Sequence, residues 1–171
     1  MTENTICASP QERLRILSDH EIETLYGHPN FTQDEQAIHF TVSLEEKIVK
    51  ETLHSLKSRI FFILQLGYFK ARRQFFKLVM DQIANDIQFI QAQYFPDSAP
   101  IVKPVAKVTR LKHQQMILSL FDYRHCNTRD REELYGKAEQ LAQFSARPVI
   151  ICRELLHHLQ QQDIVLPGYR I

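Results

Sequence analysis

LKSRIFFILQLGYFKARRQFF, residues 56–76, decides how the chain is read. Residues 60–69 carry no charge, while Lys57 and Arg59 precede them and Lys70, Arg72, Arg73 and Lys77 follow. A membrane span is excluded by length: ten helical residues rise about 15 Å, half of a hydrocarbon core. An apolar run charged only at its ends predicts instead a helix buried on all sides, with neighbouring helices around it.

Helix starts on either side are explicit. Ser18-Asp-His-Glu21, Thr32-Gln-Asp-Glu35 and Ser43-Leu-Glu-Glu46 have the capping-box spacing, in which a hydroxyl accepts from the first turn and a carboxylate reaches back. They predict helices at 18–26 (stopped by Gly27 and Pro29), 32–40 and 44–54. In the third, Ile48, Val49, Thr52, Leu53 and Leu56 share a face. A fifth helix at 77–95 carries the stripe Val79, Ile83, Ile87, Ile90 and Tyr94, with Asp81 and Asp86 on its polar side. PDSAPIVKPVAKV, from residue 96, has three prolines and no helical period, so a subdomain boundary is expected at 97–108. Three more helices are predicted beyond it. The first, at 110–122, turns Ile117, Leu120 and Phe121 inward. The second, at 129–145, is capped by Thr128 and lined by Leu134, Tyr135, Ala138, Leu141 and Ala142. The third runs from Pro148 to about 162, with Cys152, Leu155, Leu156 and Leu159 inward. The expected fold is all-α: a flexible tail at 1–17, and two small helix-turn-helix-like bundles at 18–96 and 109–171 joined by a proline-rich linker.

Composition agrees. Four glycines in 171 residues are few for a sheet protein. Three cysteines (Cys7, Cys126 and Cys152) are widely spaced and odd in number, which suits thiols in a reducing cytosol. The first residues, MTENTICASPQERLR, lack the apolar middle of a signal peptide, so a soluble cytoplasmic chain is expected.

The net charge of +1 conceals an uneven distribution. Residues 1–50 hold four Lys/Arg against nine Asp/Glu, and residues 51–125 hold eleven against five. Six cations and no acid lie between Lys57 and Lys77; Lys103, Lys107, Arg110 and Lys112, followed by His113, form a second cluster without an acid. Two such clusters point to phosphate contact. Arg129, Arg131, Arg147 and Arg153 add donors around the last two helices. Arg153, His157, Gln160 and Gln161 share a polar face of the eighth, where Arg and Gln can read guanine and adenine edges.

Enzymatic chemistry finds no comparable footing. No C-x-x-C, H-x-x-x-H or H-E-x-x-H occurs, so no metal or cofactor is expected. The pairs Glu45-Glu46 and Glu132-Glu133 fall in first helical turns, where acids meet the helix dipole. No G-x-S-x-G elbow and no phosphate-cradling glycine loop is present.

Several segments, in order, carry a resemblance: LSDHEIETL (17–25), HFTVSLEE (39–46), SRIFFILQLGYF (58–69), TRLKH (109–113), FDYR (121–124), RPVIICRELL (147–156) and IVLPGY (164–169). Together they resemble the N-terminal helical region of the large replicative transposases of the Tn-three family (TnpA type) of bacterial class II transposons. The run KARRQFF at 70–76 departs from it, being more basic than the shorter turn of many relatives. The resemblance implies a non-catalytic region that recognises the transposon's terminal inverted repeats as double-stranded DNA. Strand breakage and joining would belong to an RNase-H-like domain with Asp, Asp and Glu metal ligands, downstream of Ile171. The implied partners are DNA and the rest of the transposase chain, with nucleoid association when bound.

The site residues expected on DNA are Lys57, Arg59, Lys70, Arg72, Arg73, Lys77, Lys107, Arg110, Lys112, His113, Arg129, Arg131, Arg147 and Arg153. The third or fourth helix, together with the eighth, is expected to enter the groove. The competing expectation is a helical module that dimerises the transposase without touching DNA.

Overall fold

In the computed structural model, residues 16–167 are described. The expectations for the first fifteen residues, Cys7 included, and for the end of the IVLPGY segment lie outside them. Among the described residues the fold is all-α, with eight helices: α1 (Asp19–Tyr26), α2 (Gln33–His39), α3 (Leu44–Glu51), α4 (Leu56–Arg72), α5 (Met80–Tyr94), α6 (Lys107–Phe121), α7 (Thr128–Phe144) and α8 (Pro148–Gln161). The three expected capping boxes close on Ser18, Thr32 and Ser43. At α7 the cap falls one residue earlier than predicted: Asn127 accepts from the Asp130 amide, and the Asp130 carboxylate accepts from Asn127 N–H.

Helix α4 is the axle. Its residues Ile60, Phe61, Ile63, Leu64 and Tyr68 face one core with Phe40, which caps the C-terminal end of α2, and with Ile83, Ile87 and Ile90 from α5. Phe62, Leu66 and Phe69 face a second core with Leu53, Ile117, Leu118 and Val165. Charge is absent from residues 60–69 because both sides of the helix are occupied. At about 1.5–3 kcal/mol for each large apolar side chain removed from water, this helix dominates the hydrophobic stabilisation.

Residues 97–106 of the expected linker are irregular, residues 107 and 108 already belong to α6, and the segment does not divide two cores. Ile101 and Val105 pack against the α4–α5 core. Gln91 Nε2 donates to Ser98 Oγ at 2.7 Å and to the Ala99 carbonyl at 2.9 Å, tying the segment to α5. Helix α6 begins at Lys107, three residues before its predicted start, and joins the bundle by packing on α4. The separable-looking piece is the α7–α8 hairpin, whose small core is Leu159, Ile164 and Leu166 with Leu134 and Leu156. It is fastened by a parallel bridge in which Arg124 N–H donates to the Asp163 carbonyl and Val165 N–H to the Arg124 carbonyl, both at 3.0 Å. Arg124 also forks onto Asp130, holding that carboxyl down to about 2.

Several side chains lie where the sequence pattern did not put them: Thr52, Leu56, Val79 and Ala142, expected on packed faces, are exposed. Ile48 is exposed, because α3 turns Glu46 and the stem of Lys50 inward; the Lys50 ammonium sits 5.7 Å from the Tyr94 ring centroid and 5.6 Å from that of Phe95. Tyr135 points to solvent. Asp86 is buried rather than polar-facing, accepting from Gln36 Nε2 at 2.7 Å and from the Tyr68 hydroxyl at 2.5 Å. Burial and that carboxylate push the Tyr68 phenol far above its ordinary range.

His113 is the most deeply buried of the described polar side chains, at 0 % exposure. Gln65 Nε2 donates to its Nδ1 at 3.1 Å, which fixes the tautomer, so Nε2–H donates to Ser58 Oγ at 2.7 Å. A second proton would face the Gln65 amide hydrogens in a dry site. Burial, with Lys112 nearby, lowers its pKa to about 4. The unfolded chain therefore takes up this proton first as pH falls. Stability present above about 6.5 is lost progressively down to about 4, by a total on the order of 3 kcal/mol. Denaturation midpoints measured from pH 7 to 4 in wild type and His113→Gln should show a steeper loss in wild type. Parallel curves would show that His113 carries no such linkage.

Candidate nucleic-acid interface

The fourteen expected contacts separate by what already neutralises or covers them. Lys70 Nζ lies 2.7 Å from Glu46 and donates to the Thr41 carbonyl at 2.6 Å. Arg59 meets Glu51 at 3.1 Å while its Nε caps the Leu53 carbonyl. Arg153 pairs with Glu21 across the fold. These three cations use acids near the start of the chain, so their charge is matched internally. Arg72 donates to the Thr24 carbonyl at 3.3 Å and remains exposed.

Arg73 and His113 are corrections. Arg73 ends α4 in the left-handed region (φ 54°), and its guanidinium lies 5.0 Å from the Phe121 ring centroid and 5.7 Å from those of Phe69 and Tyr123. Such an aromatic cage stabilises a cation in place and closes the joint between α4 and α6. Its Nη1 is buried without a hydrogen-bond partner. His113, wholly buried, cannot reach a phosphate. The expectation that α4 reads a groove fails for the same reason: eleven of its residues are buried, from Ser58 to Phe69.

Eight are left, none in an ion pair with another described residue: Lys57, Lys77, Lys107, Arg110 and Lys112, and with them Arg129, Arg131 and Arg147. Two open clefts gather four of them. The first, of about 440 Å³, brings Lys77 from the first sequence cluster to Arg110 from the second, beside His125 and over the apolar floor of Phe75 and Val165. The second, also about 440 Å³, brings Lys57 to Lys112 beside His54. Neither is lined by an acid. The second also adjoins Ser55 and Ala106, the N-terminal ends of α4 and α6, which have no acid in their first turns. Positive helix ends thus add to the field there.

Arg129, Arg131 and Arg147 are exposed and line neither cleft. Sequence reasoning missed His54, His125 and Gln114, which do line them, because their approach depends on how α6 packs against its neighbours. A signal for α6 was present, since residues 107–121 contain no acid at all.

Among the described residues no group of three or more His, Cys, Asp or Glu is placed to hold a metal ion, and no helix is long and apolar enough to cross a membrane. Cys126 and Cys152 are free thiols, and burial raises the pKa of the latter. No curated protein and no solved structure matches the chain. A family model matches residues 16–171, nearly all of the sequence, and the chain belongs to that family, described as a domain of unknown function (DUF4158).

Proposed function

We propose that this chain is a non-catalytic DNA-binding module, the N-terminal region of a replicative transposase of the Tn-three type that engages the terminal inverted repeats of its transposon. The observation that carries the reading is the convergence of Lys77 with Arg110, and of Lys57 with Lys112, in clefts without acids. Cations gathered without counter-charges repel one another, so their placement is stabilised by a polyanion. The transposon assignment rests on the sequence resemblance. Glu51, Glu46 and Glu21 answer Arg59, Lys70 and Arg153, while the cations around α6 stay outside ion pairs among the described residues.

A mobility-shift titration of the full chain against a transposon-end duplex and a scrambled duplex tests this. Binding to the end duplex is expected to be tighter by about 10³-fold or more. Equal affinity would contradict sequence-specific recognition, and no binding to either would remove the DNA reading.

The second reading, a dimerisation module without DNA contact, is favoured by one observation: Tyr135 and Phe144 on α7 are 76 % and 86 % exposed. Sedimentation with and without duplex separates the two. Self-association that ignores DNA supports the second, while a shift only on adding duplex supports the first.

A further inference from the structure

Helix α6 stands between the two basic clefts as a ridge, and its outward side chains have no structural duty. Residues 108, 111, 112, 115 and 119 fall on one side of the helix and are all exposed: Val108, Leu111, Lys112, Gln115 and Ser119. Val108 is 79 % and Leu111 46 % exposed, both on a helix whose opposite face is fixed in the core by Ile117 and Leu118. Arg110 and Gln114, with Leu111 at the border, line the first cleft, and Thr109 and Lys112, with Val108 at the border, line the second. The ridge therefore carries apolar and amide side chains along its crest, with cations down each side.

One occupant has the matching chemistry. The major groove of duplex DNA is about 12 Å wide and lies between two phosphate strands, and a helix with its side chains is about 10–12 Å across. A helix seated there has negative charge on both flanks and base edges ahead of it. Carboxamides can bond adenine, and exposed aliphatic groups can contact thymine methyls. A protein partner would need an apolar strip edged by acid on both sides, whereas the duplex supplies that arrangement along any stretch of its groove.

We infer that α6 is the helix that reads DNA: Val108, Leu111 and Gln115 face base edges, while Lys57 with Lys112 and Lys77 with Arg110 hold the two phosphate strands. This rests on the DNA-binding reading above and deepens it, and it replaces α8 as the groove helix. The Arg153 guanidinium on the polar face of α8 is already engaged by Glu21. Asp122, beyond the last residue of α6, bounds the ridge at its C-terminal end.

The test uses the full chain and duplexes selected from a randomised pool, compared with scrambled duplexes of equal length. Gln115→Ala combined with Leu111→Ala, at exposed positions, should lower the preference for the selected duplex about tenfold or more, with little change toward the scrambled one. Lys57→Ala combined with Lys77→Ala should weaken both alike and flatten the salt dependence by about two contacts' worth. Should the crest pair leave the preference intact while the lysine pair weakens both duplexes, DNA binding stands and α6 is not the reader. Should wild type select nothing from the pool, the DNA reading itself fails and the inference with it. Helicity measured by circular dichroism keeps a folding defect in either variant apart from these outcomes.

Discussion

Gly67→Ala is expected to destabilise the chain by about 2 kcal/mol, although helix propensity alone would favour alanine by about 1 kcal/mol. A Cβ at this position in α4 would lie 2.3 Å from Phe40 Cδ1, 2.5 Å from Cε1 and 3.2 Å from the His39 carbonyl oxygen. Phe40 cannot swing aside: it is buried, with ring centroids of Phe31 at 5.6 Å, Tyr68 at 6.0 Å and Phe89 at 6.1 Å around it. Helix α2 would have to move off α4, taking Gln36 away from the buried Asp86 carboxylate. Thermal denaturation should show a fall of about 4–8 °C for a chain of this size. Phe40→Leu, costly alone, should recover part of the loss when combined, because the two sites share one contact. A rise in midpoint for Gly67→Ala would mean that α2 does not rest on this glycine.

The second large effect concerns binding. Replacing Lys57, Lys77, Arg110 and Lys112 by alanine should lower affinity for duplex DNA by about 10³-fold or more near 0.1 M salt, since each lost phosphate contact removes close to a tenfold factor there. All four are at or near the surface and outside ion pairs among the described residues, so stability should change little. Replacing Lys70, Arg59 and Arg153 is the informative contrast. Those cations answer Glu46, Glu51 and Glu21, and their loss should strain the fold before it weakens binding. Loss of affinity in the second set with none in the first would invert the assignment of the interface.

The elements of this fold were legible because they are written locally. A capping box needs only four residues, and the uncharged run from Ile60 to Phe69 states that its helix has neighbours on every side. The places where the pattern misled all involve partners distant in sequence. Asp86 looks like a solvent-facing acid until Gln36 and Tyr68 close over it, fifty and eighteen residues away. His113 looks like one more basic residue after Lys112 until α6 lies against Ser58 and Gln65. The prolines at 96–104 look like a boundary, yet Ile101 and Val105 lay the segment along the bundle and let α6 share the core of α4.

The basic surface was half legible for a related reason. Composition marks Lys57–Lys77 and Lys103–Lys112 as clusters without acids, and the fold places Lys77 beside Arg110 and Lys57 beside Lys112. What composition cannot tell is which members are answered from elsewhere. Glu21 reaches Arg153 across 132 residues, and no local window contains both. Arg73 is a different case, since an aromatic cage built from α4 and the end of α6 holds it.

The salt dependence of duplex binding is the most direct measurement. With Lys57, Lys77, Lys107, Arg110 and Lys112 each answering a phosphate, the logarithm of the association constant should fall with the logarithm of salt concentration at a slope near −4.5. The variant lacking four of these cations should give a slope of about −1. A wild-type slope near zero, or one that the four substitutions leave unchanged, would mean that these side chains do not meet DNA.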